Sequence, residues 1–265
     1  MSATPRDAAF AAHAAGLCVV PPREDGSKAP MGAWERFQST RPSDAELDSW
    51  YADGATGVGV VCGAVSGGLE MLELEGRAVA EGRSTLFLEL AEAAGLGELV
   101  ARIRTGYQER TPSGGIHLLY RCPNPLPNTK LARRPATAAE LAAKPGEKVK
   151  VLIETRGEGG YTITAPSNGR VHPTGDAWVL EAGGFASIAT ISDEERDALY
   201  GVARVLDEMP PAERPAPRSD RSRGTDDERP GDRFSAAPDV QATILDLLER
   251  HCWTLVYSRG DVCYL

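Results

Sequence analysis

The stretch "MLELEG" sets Glu73 and Glu75 two residues apart. On a β-strand, side chains at i and i+2 share one face, with Cα atoms roughly 6.5–7 Å apart. Leu72 and Leu74 then enter a core while the two carboxylates leave it together. Two such charges raise each other's pKa unless a cation sits between them. Further along, "VLIETRG" places Glu154 beside apolar Leu152 and Ile153, with Arg156 two residues on and on the same face. Three carboxylates from two strands could hold one or two hard cations, Mg²⁺ or Mn²⁺, which prefer oxygen ligands. Two such ions roughly 4 Å apart can bind the attacking and leaving oxygens of a phosphoryl transfer. Plainer alternatives stay open: a solvated strand face for the glutamate pair, and for Glu154 and Arg156 a surface ion pair worth under about 1 kcal/mol.

Between these stretches lies "TPSGGIHLLYR", residues 111 to 121. Gly114 and Gly115 would let the backbone come close to a phosphate, as glycines do in phosphate-binding turns. Ser113 adds a hydroxyl and His117 a ring nitrogen at the mouth of an apolar run. The chain has only four histidines. A histidine opening a strand can equally be a satisfied structural residue; the nearby acidic cluster tilts the reading toward a phosphate contact.

The elements that must carry these groups follow from periodicity and caps. Residues 5 to 16 predict a helix stopped at Gly16, "LCVVPP" a short buried strand, and "REDGSKAPMGAWERFQST" a loop with Trp34 and Phe37 turned inward. "SDAELDSWY" starts a helix with a serine cap and an acidic first turn. "GVGVVCG" and "GLEMLELEG" are two strands, and a long helix spans about 77 to 95. "TGYQERT" and "GIHLLYR" form an antiparallel pair about the Pro-Ser-Gly-Gly turn, and "VKVLIETRG" and "YTITAPS" a second pair about "EGG". "DAWVLE" adds a strand and "SDEERDALYGVARVLDEM" a capped helix. Hairpins mixed with separate helices favour α+β over a doubly wound sheet.

The 265 residues can bury a sizeable core, and 42% hydrophobic with 25% charged residues is ordinary for a globular chain. A net charge of −9 excludes a protein coated in basic residues but not a local basic groove. No apolar run approaches the roughly 18 residues of a membrane span, and the N-terminus lacks a signal-peptide pattern, so a cytoplasmic location is expected. Cys18, Cys62, Cys122, Cys252 and Cys263 form no Cys-x-x-Cys pair and read as reduced thiols. After Met209 the composition turns to proline and mixed charge. Residues 1–209 are therefore expected to be one domain, 210–238 a disordered linker, and 239–265 the start of a following, truncated domain with an amphipathic "VQATILDLLERH" and a hairpin, "WTLVY" with "DVCYL".

Taken in order, "GSKAP", "GVGVVCG…GLEMLELEG", "RTPSGGIHLLYR" and "IETRGEGGYTITAPS" resemble the bifunctional primase–polymerase domain of the archaeo-eukaryotic primase superfamily, over roughly residues 5 to 185. Four separated motifs in the family's order carry the resemblance; each alone would be weak. It implies an N-terminal α/β unit packed on an RRM-like mixed sheet, with the active site in the cleft between them. It further implies a template-directed DNA primase/polymerase of phage or mobile-element replication (working in the host cytoplasm if phage-encoded). By resemblance Glu73, Glu75 and Glu154 are the metal ligands, and His117 meets the triphosphate. Arg156 would neutralise the same phosphates, Ser113 would assist, and Lys28 sits in the family's early Lys-x-Pro segment as a nucleotide contact. Substrates would be nucleoside triphosphates and a single-stranded DNA template with primer, and relatives lead to a helicase module as partner.

One departure stands out. Aspartate is common at one or more of the three acidic positions, and here all are glutamate, longer by a methylene and costlier to order. Hence the alternative of a weak or inactive nucleotide- or single-stranded-DNA-binding module serving a helicase. A template needs a cationic track; Lys130, Arg133 and Arg134 in "TKLARRP" and Lys144, Lys148 and Lys150 in "KPGEKVK" are the candidates, unless they are simply solvated. No G-x-x-x-x-G-K-[ST] sequence is present, so no helicase-type ATP site lies in this chain.

Overall fold

The computed structural model describes residues 3–210, 255–258 and 261–264. Helix α1 (Pro5–Ala14) starts where expected: the Thr4 hydroxyl accepts the Asp7 N–H, and the Asp7 carboxylate accepts the Thr4 N–H in return. Strand β1 (Cys18–Val19) follows, then a loop in which Phe37 is buried and Trp34 half-buried against Val20 and Val61. Ser43 and Glu46 cap α2 (Asp44–Tyr51) in the same reciprocal way. Next come β2 (Val58–Val61) and β3 (Leu69–Leu74).

The single helix predicted for 77–95 is two, α3 (Gly76–Ala80) and α4 (Arg83–Ala93), and a third, α5 (Gly97–Gly106), went unpredicted. The break falls at Gly82, whose φ of 74° an L-residue adopts only with strain. Strands β4 (Tyr107–Arg110) and β5 (Ile116–Arg121) form the expected hairpin. Then come β6 (Thr129–Pro135), α6 (Ala138–Ala143), β7 (Val149–Arg156), β8 (Tyr161–Thr164), β9 (Val179–Gly183), β10 (Ala189–Thr190) and α7 (Asp193–Val205). Strands β11 (Leu255–Ser258) and β12 (Asp261–Tyr264) pair antiparallel, as "WTLVY" and "DVCYL" predict. The expected linker and the amphipathic stretch from 240 lie outside the described residues.

A larger sheet runs β6-β7-β3-β5-β4-β9, with β10 parallel to β5; a smaller one runs β1-β2-β8. The expected β7–β8 hairpin is therefore corrected. Both edges of β7 are taken, by β3 on one side and β6 on the other, so β8 leaves the sheet and pairs with β2. The missing piece was β6, whose charges disguised a strand.

On one face of the larger sheet Leu72, Leu74, Leu118 and Leu152 pack under Phe87 of α4, Ile103 of α5 and Leu199 of α7. Fully burying a side chain of this kind is worth about 1.5–3 kcal/mol, so this face anchors the sheet. Its other face sends Leu69, Met71 and Leu119 against Val58 and Val60 of β2, Val19, and the alanines of α1. The arrangement is α+β. The helices thus hold the larger sheet from behind, and α1 with the smaller sheet covers part of its front. Among the described residues no helix is long and apolar enough to cross a membrane.

Candidate active site

Strand register lines up charges across the uncovered part of that front face. Glu109 pairs with His117, His117 with Glu73, Glu73 with Glu154, and Glu154 with Lys130, one from each of β4, β5, β3, β7 and β6. Neighbouring strands lie about 4.8 Å apart, so these side chains stand shoulder to shoulder.

His117 is flanked by carboxylates. Its Nδ1 lies 2.7 Å from Glu109 Oε1 and its Nε2 3.5 Å from Glu73 Oε1. Burial opposes charging the imidazole, but the Glu73 charge and the hydrogen bonds to Glu109 and Glu73 prevail and push its pKa up to about 10. At neutral pH this favours the imidazolium, with Nδ1–H donating to Glu109 and Nε2 turned toward Glu73.

Glu75 follows the last residue of β3 and stands at the start of α3, its own N–H donating to the Leu152 carbonyl at 2.9 Å. That bond continues the ladder by one step and keeps Glu75 on the side of Glu73. One carboxylate oxygen from each of Glu73, Glu75 and Glu154 lies within 4.8 Å of the others. The spacing-based expectation that the three converge is what the structure brings together. Burial and then the Glu73 charge raise the pKa of Glu75; burial raises that of Glu154 too, with Glu73 adding and Arg156 opposing. Glu73 goes the other way: burial, the largest single effect, raises its pKa, but the His117 charge and hydrogen bond together with the Arg156 and Lys28 charges outweigh it. Two of three carboxylates thus hold protons more tightly than usual, the condition a divalent cation relieves. The donor set is all oxygen, which suits Mg²⁺ or Mn²⁺.

A cavity of about 200 Å³ opens over this cluster, with β8 (Tyr161, Thr162, Ile163) as its opposite wall and Lys28, Ser113, Arg156, His172 and Trp178 also lining it. Arg156 forms an ion pair with Glu154. Lys28 is held at φ 60°, a left-handed conformation costly for a side chain with a Cβ, in a loop closed by the Arg23 N–H to the Ala29 carbonyl at 2.8 Å. The glycine pair works differently from the expectation. Gly114 has φ 80° as the turn requires, while Gly115 lets the turn lie on the carboxylate strand: a Cβ there would sit 2.8 Å from the Leu74 carbonyl oxygen. The Ser113 hydroxyl lines the cavity; neither glycine does.

Two groups escaped the sequence. Glu109 hides in "YQERT", yet a turn from Thr111 to Gly115 puts 109 opposite 117, so the signal was there. His172 is buried in a loop after β8, its Nε2 3.3 Å from Ser113 Oγ and its Nδ1 accepting the Thr174 N–H at 3.2 Å. Nothing in its sequence neighbourhood points to the cavity.

The basic candidates divide. Lys130 and Lys148 are exposed, and Arg133 is half-buried beside Asp207 at 3.2 Å. Arg134 is buried, its guanidinium taken up by Glu81 at 2.5 Å and Glu140 at 2.7 Å, which corrects its assignment to a template rim. Lys150 is likewise buried against Glu147.

An α+β fold that gathers three carboxylates beside a cationic histidine, under a cavity with a basic rim, defines the class. The sequence profile described as "Bifunctional DNA primase/polymerase, N-terminal" matches residues 8–193, and the chain belongs to that family. The resemblance drawn from the four motifs is thereby established, and DNA primase/polymerase activity is what the family implies in general. No curated protein matches the chain.

Proposed function

We propose that this chain is a template-directed nucleotidyltransferase, a primase and DNA polymerase whose reaction centre is the Glu73–Glu75–Glu154 cluster. The observation that carries it is the meeting of those carboxylates within 4.8 Å, next to His117. Glu73, Glu75 and Glu154 would hold Mg²⁺ or Mn²⁺, two ions in number. When bound, such ions supply charge neutralisation to the attacking and leaving oxygens of a phosphoryl transfer. The residues of the chain do the rest. His117, Arg156 and Lys28 present positive charge to the triphosphate, and Ser113 a hydroxyl. With Glu154 engaged as a ligand, Arg156 would be free to turn from its ion pair to the phosphates. The primer 3′-hydroxyl gives up its proton to solvent as its oxygen bonds to the α-phosphorus, the bond from that phosphorus to the bridging oxygen of the β-phosphate breaks, and pyrophosphate departs. The cleft between the α/β front layer and the larger sheet houses the nucleotide, and Lys130, Arg133 and Lys148 face the template strand. The family resemblance supplies the setting: replication of a phage or mobile element, beside a helicase.

Primer extension on a single-stranded template tests this. Glu73→Ala, Glu75→Ala and Glu154→Ala are each expected to lose about 10²-fold or more in rate while keeping the parental fold by circular dichroism. A variant that extends at the parental rate removes that residue from the centre. A parent chain that binds nucleotide with Mn²⁺ yet neither extends nor primes would instead be a binding module.

A further inference from the structure

We propose that Glu109 is a positioning residue that fixes the His117 imidazole so that Nε2 faces the bound nucleotide. The inference rests on the nucleotide contact assigned to His117 above. Glu109 is fully buried, and both its oxygens are used. Oε1 accepts His117 Nδ1 at 2.7 Å; Oε2 accepts the Tyr107 hydroxyl at 2.7 Å and the Ala165 N–H at 2.6 Å. A carboxylate only accepts, so three donors converging on it are all satisfied. The donors come from β4 itself, from β5, and from the residue just after β8, so the carboxylate is pinned from both sheets.

The consequence for His117 is orientational. An imidazole rotated half a turn about its Cβ–Cγ bond would exchange the groups facing Glu109 and the cavity. The bond to a pinned acceptor selects the rotamer whose Nε2 points past Glu73. Ligand histidines are held in the same way by a second hydrogen bond on the far nitrogen. Glutamine is a poor substitute: with its –NH₂ toward Ala165 it opposes that N–H, and with its –NH₂ toward His117 it can pair only with a neutral ring whose Nδ1 accepts, so the imidazolium is lost.

The test is a double-mutant cycle on the full chain, reading the Kd of Mg-dATP and, separately, the KM and kcat of extension. Glu109→Gln is expected to weaken dATP binding roughly tenfold and to raise KM more than it lowers kcat. In a His117→Ala background the same change is expected to add nothing, because the residue acts through the ring. Full additivity, or dATP binding at parental strength in Glu109→Gln, overturns the proposal and leaves Glu109 a structural pin for Ala165. Tyr107→Phe removes one donor but spares the His117 bond, and is expected to bind dATP within twofold of the parent. Should Glu109→Gln fail to fold, the parent decides: a downfield Nδ1 proton in its NMR spectrum, absent from His117→Ala, is expected, and its absence from the parent overturns the pairing. A His117→Ala chain binding dATP like the parent overturns both this inference and the reading beneath it, whereas the proton signal bears on the pairing alone.

Discussion

Lys28 holds a backbone conformation that glycine would adopt freely, yet it carries a cation to the rim of the cavity. Strain retained at such a place is what function keeps against stability. Lys28→Gly is therefore expected to leave thermal stability unchanged or raise it by up to about 1 kcal/mol, while weakening nucleotide binding; a fall in stability with unchanged nucleotide affinity would refute both halves. His117 gives a pH dependence whose sign is fixed. Its pKa in the folded chain, about 10, lies above the ordinary 6.5, so its stabilisation is complete below pH 6.5 and drains away as pH rises through about 10. In metal-free buffer the melting temperature is expected to fall between pH 7 and 10, and His117→Gln to flatten that decline. At this scale the sequence was informative for residues in strict alternation. Glu73, Glu75 and Glu154 were legible because period two dictates their side. Glu109 was missed because its importance depends on a cross-strand neighbour, and His172 because a loop brings it in without any periodicity.

The hairpin β4–β5 is where local chemistry and function meet. Its turn rests on the backbone beside Glu75 only because Gly115 has no side chain. Gly115→Ala is expected to cost about 1–3 kcal/mol and to depress extension further by shifting Glu75; urea denaturation and primer extension measure the two. Serine caps made α2 and α7 legible, since Ser43 and Ser192 each precede an acidic residue three positions on, whereas α1 was legible from its apolar spacing and its stop at Gly16. The α3–α4 break was illegible because Gly82 in an otherwise helical pattern reads as a tolerated weak point. Strand β6 was illegible because its alternate charges satisfy different partners: Arg134 inward to Glu81 and Glu140, Lys130 outward. That distinction has a measurable side. Lys130→Ala and Lys148→Ala are each expected to lower the salt dependence of single-stranded DNA binding by about one unit of slope. Arg134→Ala is expected to leave that slope alone and to reduce stability by about 1–3 kcal/mol. An Arg134 variant with a reduced slope and parental stability would return it to the rim.

At the scale of the molecule, the mixture of hairpins with separate helices predicted the α+β class, and the motifs predicted the family. What they could not convey was which strands share a sheet. Proximity in sequence argued for β7 pairing with β8, but pairing is decided by which edges are free, and that is a property of the completed sheet. The same crossing has a mechanical corollary. Strands β7 and β8 belong to opposite walls of the cavity, yet only residues 157–160 separate them. This short connection is itself fastened: the Gly157 N–H donates to the Asn128 side chain at 3.0 Å, and the Glu158 carboxylate accepts the Ala64 N–H at 2.8 Å. The two walls are therefore bound like the covers of a book, with 157–160 as the spine. The covers are also tied at their far side, where the Ala165 N–H reaches Glu109 at 2.6 Å and His172 Nε2 lies 3.3 Å from Ser113 Oγ. Any parting from that spine to admit a strand must first break these ties.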